Sequence, residues 1–193
     1  MLTNGIFGHG SSFKERYIQD HQRLADLAAS LKVLGQKVVL TMGTFDLLHV
    51  GHSRYLEAGR NLGDFLIVGV DSDEKVRRRK GPRRPIVSEN ERLEILCHHR
   101  HVDAVILKHA DDPKWSLIKL IRPDVLLATK ETYTVEELEQ LKEYCGEVIV
   151  LEPQATTSTT ARIRQLFVDF ASTAKERITK KIQEALDELI GGE

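Results

Sequence analysis

No apolar run in the sequence approaches the ~20 residues that a membrane-spanning helix requires, and the first residues lack the charged-then-apolar layout of a secretory signal. A membrane association is therefore not expected, and the expected location is the cytoplasm. Cysteine is scarce. Cys97 and Cys145 lie far apart and match no C-x-x-C pattern, so reduced, structural thiols are expected rather than a metal site or redox pair. An excess of either charge is missing too. With 28 Lys and Arg against 29 Asp and Glu the net charge is −1. The chain thus has no general attraction for nucleic acid or anionic membrane, and any basic patch must act locally. Repeats, linkers and low-complexity tracts are absent. What is present is 193 residues, 41% apolar and 30% charged, enough for one ordinary globular domain with a proper core.

The chain opens on a loose arm, residues 1–12, with Gly5, Gly8 and Gly10. Ser12 and Glu15 form a capping-box pattern, and the helix they begin carries Phe13, Tyr17, Leu24, Leu27, Ala28, Leu31 and Leu34 on one face up to Gly35. From Lys37 onward short β-branched runs alternate with helical patterns, which predicts a parallel α/β domain. Strands are expected at 38–42, 65–70, 103–107, 124–128 and 147–151. Helices are expected at 53–59, 88–99, 113–121, 134–145 and 161–167. Five strands with right-handed crossovers make a Rossmann-like parallel five-stranded sheet with flanking helices. From about Phe167 to Ile190 an apolar stripe faces mixed charges, the pattern of an amphipathic helix. The expected division is an arm and helix at 1–36, a core domain at 37–168 and a terminal helix at 169–193. Either terminal helix could cover the core or a second copy, and a homodimer is expected.

The chemistry concentrates in Gly43-Thr44-Phe45-Asp46-Leu47-Leu48-His49-Val50-Gly51-His52, a turn from the first strand into a helix. Ligands of α/β sheets bind at such turns, and a helix starting there offers unpaired N–H groups and the positive end of its dipole to an anion. Gly43 permits close backbone approach, His49 and His52 can share one helical face, and Gly51 leaves room for a phosphate. Asp46 is placed to orient the turn or a metal-bound water. A second signal is Arg77-Arg78-Arg79-Lys80-Gly81-Pro82-Arg83-Arg84-Pro85, six cations in eight residues, expected as a loop that clamps phosphates. A third is Thr156-Thr157-Ser158-Thr159-Thr160 at a helix start, a second phosphate cradle. His98, His99 and His101 cluster without zinc spacing or carboxylate help, so no metal site is expected there.

The decapeptide resembles the G-x-F-D-x-x-H-x-G-H signature of the cytidylyltransferase-like nucleotidyltransferases, and the resemblance covers residues 37–166. Within that superfamily, Lys-Gly-Pro-x-Arg-Pro-Ile at 80–86 resembles bacterial heptose-phosphate adenylyltransferases. The resemblance implies a nucleoside triphosphate held by Gly43, Thr44, Phe45, Asp46, His49, Gly51 and His52, with Arg92 near the nucleotide. Thr157, Ser158, Thr159 and Thr160 would hold the β- and γ-phosphates with Mg2+. Lys80, supported by Arg83 and Arg84, would meet a phosphorylated small-molecule acceptor. His49, His52 and Lys80 are the expected catalytic residues, transferring AMP to a phosphorylated sugar or polyol. Gly43-Thr44-Phe45 also resembles cytidylyltransferases of glycerol phosphate and choline phosphate. Where the adenylyltransferases have Lys-Gly-Gly-Asp-Tyr, this chain has Thr129-Lys130-Glu131-Thr132-Tyr133, which leaves base and acceptor open, as it does the alternative of a catalytically idle nucleotide-binding module.

Overall fold

The computed structural model describes residues 6, 11–130, 132–152, 154 and 159–190, without the side chains of 159, 160, 162 and 185–190. It divides into two compact units, Met1–Ala155 and Thr156–Glu193. The last helix lies in the second unit, and residues 11–36 fall in the first unit with the sheet.

In the first unit five strands, β1 (Val38–Gly43), β2 (Phe65–Asp71), β3 (Ala104–Lys108), β4 (Val125–Thr129) and β5 (Glu147–Leu151), pair in the order β3-β2-β1-β4-β5, all parallel. Alternation along the strands sends residues to two faces. Val38, Leu40, Phe65, Ile67, Ile106 and Leu126 pack with α2 (His21–Val33) and α6 (Ser116–Ile121). Val39, Leu66, Val68, Val105 and Leu127 pack with α3 (Val50–Arg60) and α5 (Glu89–Cys97). Burying each such aliphatic side chain contributes about 1.5–3 kcal/mol, so both helical layers are needed to close the sheet. The expected α/β, Rossmann-like architecture is the one observed.

Three elements differ from the sequence reading. The helix expected from 13 to 34 is two: α1 (Phe13–Arg16) stops, Tyr17 bridges Val105, and Ile18 N–H donates to Val105 O (2.9 Å). Extended backbone at the β3 edge replaces a helical turn, and Asp20 restarts the helix by accepting from the Gln22 and Arg23 N–H groups. The arginine run is not a loop up to Lys80 but the last turns of α4 (Asp73–Lys80), capped by Ser72 and ended by Gly81 at φ 91°. Four cations there complement the negative end of the helix dipole. Val76 is its only buried residue, so the helix has no apolar stripe to announce it. Finally, α8 (Thr159–Ile190) is one 32-residue helix where the sequence suggested two segments. The remaining helix is α7 (Val135–Leu141), which Thr134 caps. Among the described residues no helix is long and apolar enough to cross a membrane.

The order of strands matters for function. The chain leaves β1 to build β2 and β3 on one side, then crosses to β4 and β5 on the other. In such sheets the crevice lies at the carboxyl ends where the direction of winding reverses. Here that point is the carboxyl end of β1, where the histidine turn begins.

Candidate active site at the carboxyl end of the central strand

The turn after β1 is built under strain. Phe45 (φ 53°) and Leu47 (φ 49°) both occupy the left-handed region, an arrangement that non-glycine residues adopt only when their surroundings hold them. Gly43 makes it possible, because a Cβ there would stand 3.1 Å from the Phe45 ring. The buried Phe45 ring in turn lies against His52, with centroids 5.7 Å apart.

His49 caps α3 through its own imidazole. The Gly51 N–H donates to His49 Nδ1 (3.1 Å), and the His49 N–H donates to His52 Nδ1 (3.3 Å). Both Nδ1 atoms are therefore acceptors, so each neutral ring carries its proton on Nε2. The two rings lie 4.1 Å apart and half-buried. Together they offer two N–H donors at the positive end of α3, the arrangement an anion such as a phosphate requires.

Burial pushes His52 down from 6.5 to about 4, helped by the charges of His49 and Lys80 and opposed by Asp46. The folded protein thus refuses a proton at His52 that the unfolded chain accepts. Above about pH 6.5 both are neutral and His52 has no effect. As pH falls from about 6.5 to about 4 it destabilises the fold. Thermal unfolding measured across that window is expected to fall less steeply in a His52→Asn variant, which cannot titrate. An identical slope would exclude His52 as a source of acid sensitivity.

The cations gather around two buried carboxylates. Asp71, 1% exposed at the end of β2, accepts from Arg79 (2.9 Å) and from Lys108 (3.2 Å), its register partner at the end of β3. Burial pushes its carboxyl up, but Lys108 and Arg79 outweigh that and hold it below its usual range. Arg79 also donates to Thr44 Oγ1 (2.8 Å), so the Thr44 side chain is committed to this network. Asp46 accepts from the Ile86 and Val87 N–H groups and pairs with Arg84 (3.1 Å). Arg78 pairs with Glu74 and Asp111.

Lys80 and Arg83, by contrast, form no ion pair among the described residues. Partial burial, then the like charges of Arg79 and Arg84, lower the Lys80 pKa. Its positive charge is among the influences that lower the His52 pKa.

Arg92, expected near the nucleotide, is 1% exposed. Its guanidinium donates to Val87 O (3.0 Å), to Thr44 O and to Asp73 Oδ1 (2.7 Å). All three arms of the fork face protein oxygens, so it acts as a strut beneath the turn. Thr157 and Ser158 lie outside the described residues, and Thr159 and Thr160 begin α8 in the second unit. Among the described residues no group of three or more His, Cys, Asp or Glu can hold a metal ion, His98, His99 and His101 included. Sequence reading missed the Asp71–Arg79–Lys108 cluster. Its one local signal is an aspartate at the end of an apolar strand.

Residues 40–184 match the family described as cytidylyltransferase-like. The chain is similar to the bifunctional protein HldE of Methylobacillus flagellatus, 42% identical over 135 residues that cover 68% of this chain and 27% of that protein. It is similar also to the bifunctional protein HldE of Helicobacter pylori, 39% identical over 149 residues, 77% of this chain and 32% of that one. It therefore spans about a third or less of the length of these relatives. Among solved structures, the lipopolysaccharide core biosynthesis protein of Thermoplasma volcanium superposes with a TM-score of 0.53 at 30% identity, covering 61% of this chain and 97% of that one. A pantoate-beta-alanine ligase of Francisella tularensis, at 16% identity and a TM-score of 0.54, covers 70% of this chain and 66% of its own and shares the fold.

Proposed function

Because the chain belongs to the cytidylyltransferase-like family, we propose that it moves AMP from ATP onto a phosphorylated sugar or polyol and releases pyrophosphate. The observation that carries this reading is the pair of Nε2–H donors fixed on His49 and His52 at the start of α3. The similarity to HldE proteins and the Lys80-Gly81-Pro82 segment favour ATP and a sugar phosphate over the cytidylyl alternative.

An oxygen of the acceptor phosphate attacks the α-phosphorus as the bond to the bridging oxygen breaks, and that oxygen leaves with its electron pair on pyrophosphate. The acceptor phosphate is already anionic at neutral pH, so no protein base is required. Catalysis consists of alignment and charge stabilisation. His49 and His52 donate to the α- and β-phosphate oxygens as charge moves onto them. Lys80 and Arg83, free of acid partners among the described residues, draw in the acceptor phosphate. Asp46 and Asp71, each engaged by cations, make poor metal ligands, so Mg2+ enters on the triphosphate as part of the substrate.

Arg78, Arg79 and Arg84 are paired with acids, which weakens the run as a nucleic-acid patch and leaves Lys80 and Arg83 to meet a small phosphorylated substrate. A homodimer belongs to the same reading: within its own unit α8 leaves Phe167, Phe170, Ile178 and Ile182 uncovered, a surface suited to a second copy.

Pyrophosphate release is the test, with the Mg2+ salts of ATP and CTP each offered with sugar, polyol and amino-alcohol phosphates. Release with ATP and a sugar or polyol phosphate is expected. Release with CTP alone would select the cytidylyl reaction, and nucleotide binding without release under any pairing would select an idle nucleotide-binding module.

A further inference from the structure

Asp46 lies in the nucleotide signature, yet its carboxylate also engages another segment of the chain. Buried at 3% exposure, it accepts from the Ile86 N–H at 3.1 Å through both oxygens and from the Val87 N–H at 3.0 Å, and it pairs with Arg84 Nη2 at 3.1 Å. All these partners follow α4, about forty residues further along. We propose that Asp46 is a positioning residue. It ties the segment Gly81–Val87 to the nucleotide turn and thereby sets the affinity for the acceptor phosphate.

Three observations carry the inference. First, the segment has little apolar anchorage: Ile86 is 55% exposed, and Pro82 and Arg83 are exposed as well. Polar contacts hold it instead. Besides Asp46, these include the Gly81 N–H bond to Arg77 O (2.9 Å), a turn in which Arg84 N–H donates to Gly81 O (3.2 Å) and the Arg92 bond to Val87 O. Second, Asp46 lies between two positive-φ residues, Phe45 and Leu47, and such strain persists only where surrounding contacts over-determine it. Third, the segment carries Arg83, which has no ion pair among the described residues, and it begins directly after Lys80. A cation that waits for a phosphate binds best when its backbone is already in place, because the ordering cost is then not charged against binding.

Arg84 is therefore a tether rather than a phosphate ligand, its charge spent on Asp46, while Lys80 and Arg83 remain for the acceptor. The role of Asp46 in acceptor affinity rests on the proposed transferase reading. The tether itself does not, and the experiment separates the two.

Trypsin cuts after Lys80 and Arg83 but not at Arg84–Pro85, so digestion of the full chain under native conditions reports whether the segment is held. In Asp46→Asn, cleavage after Lys80 and Arg83 is expected to quicken by about tenfold or more, as local opening becomes easier while the rest of the fold stays closed. In the transfer assay the acceptor KM is expected to rise by about tenfold or more, with ATP affinity within about threefold of wild type. Arg84→Gln, at the less buried end of the same pair, guards against a folding defect. It should raise acceptor KM in the same direction, and the double variant should fall short of the sum of the two. Unchanged cleavage in Asp46→Asn overturns the tether. A loss of ATP affinity equal to the loss of acceptor affinity, or additive single variants, overturns the positioning role. Should the wild-type chain release no pyrophosphate with any acceptor, the transferase reading fails while the digestion still decides the tether.

Discussion

Replacing His52 with alanine is expected to lower turnover by on the order of 10²–10³, the usual cost of removing one preorganised donor to a developing negative charge, equivalent to ~3–4 kcal/mol. The size follows from how the donor is fixed. Its Nδ1 accepts the His49 N–H, which forces the proton to Nε2, and the Phe45 and His49 rings hold the plane of the imidazole. No reorientation is then needed as charge moves onto the phosphate oxygens. The same ring also caps α3, so alanine should in addition cost about 1 kcal/mol of stability. Asparagine separates the roles, because its amide oxygen can take over the Nδ1 contact while nothing reaches the position of Nε2. His52→Asn is thus expected to keep its melting temperature and to lose turnover nearly as fully as alanine. Steady-state kinetics beside thermal unfolding would check it, and an asparagine variant with turnover near wild type would remove His52 from the transfer step.

Arg92→Met is expected to cost ~3–5 kcal/mol of folding stability, because it strands the Asp73 carboxylate and the Thr44 and Val87 carbonyls that the guanidinium now satisfies. For a chain of this size that corresponds to a melting temperature lower by on the order of 10 °C. Arg92→Lys should recover little, since one ammonium cannot reach three oxygens arranged around a planar fork. A melting temperature near wild type for the methionine variant would contradict the strut. Arg92 joins α5 to the turn after β1 through Thr44 and to Val87, the last residue of the segment Gly81–Val87. Its loss should therefore reach both substrates together, where the effect of Asp46→Asn falls on the acceptor.

The contrast between these two positions shows what a linear reading can see. His49 and His52 stand three apart at a helix start, and the groups that fix them, the Gly51 and His49 N–H groups, are their immediate neighbours. Everything needed to recognise them lies within one helical turn. Arg92 is expected near the nucleotide only from a family resemblance, and its role as a strut is not legible because its partners at Thr44 and Asp73 are 48 and 19 residues away. The arginine run read as a loop for a related reason: α4 buries only Val76, so no periodicity marks it as helical. The helix expected from 13 to 34 kept its apolar spacing, but Tyr17 is drawn into an extended bridge with Val105, 88 positions on, a contact no spacing rule contains.

The sequence by itself determined the five strands, several of the helix starts and the strand-to-helix turn that holds His49 and His52, because alternation, capping and turn chemistry are set by residues within about four positions of one another. Only the tertiary structure decided that β1 lies at the centre of the sheet with the reversal beside it. It also decided that Asp71 meets Lys108 across neighbouring strand ends and that Asp46 grips the segment after α4. Those facts depend on charges buried together from distant parts of the chain, where the low dielectric makes a paired carboxylate stable and an unpaired one costly.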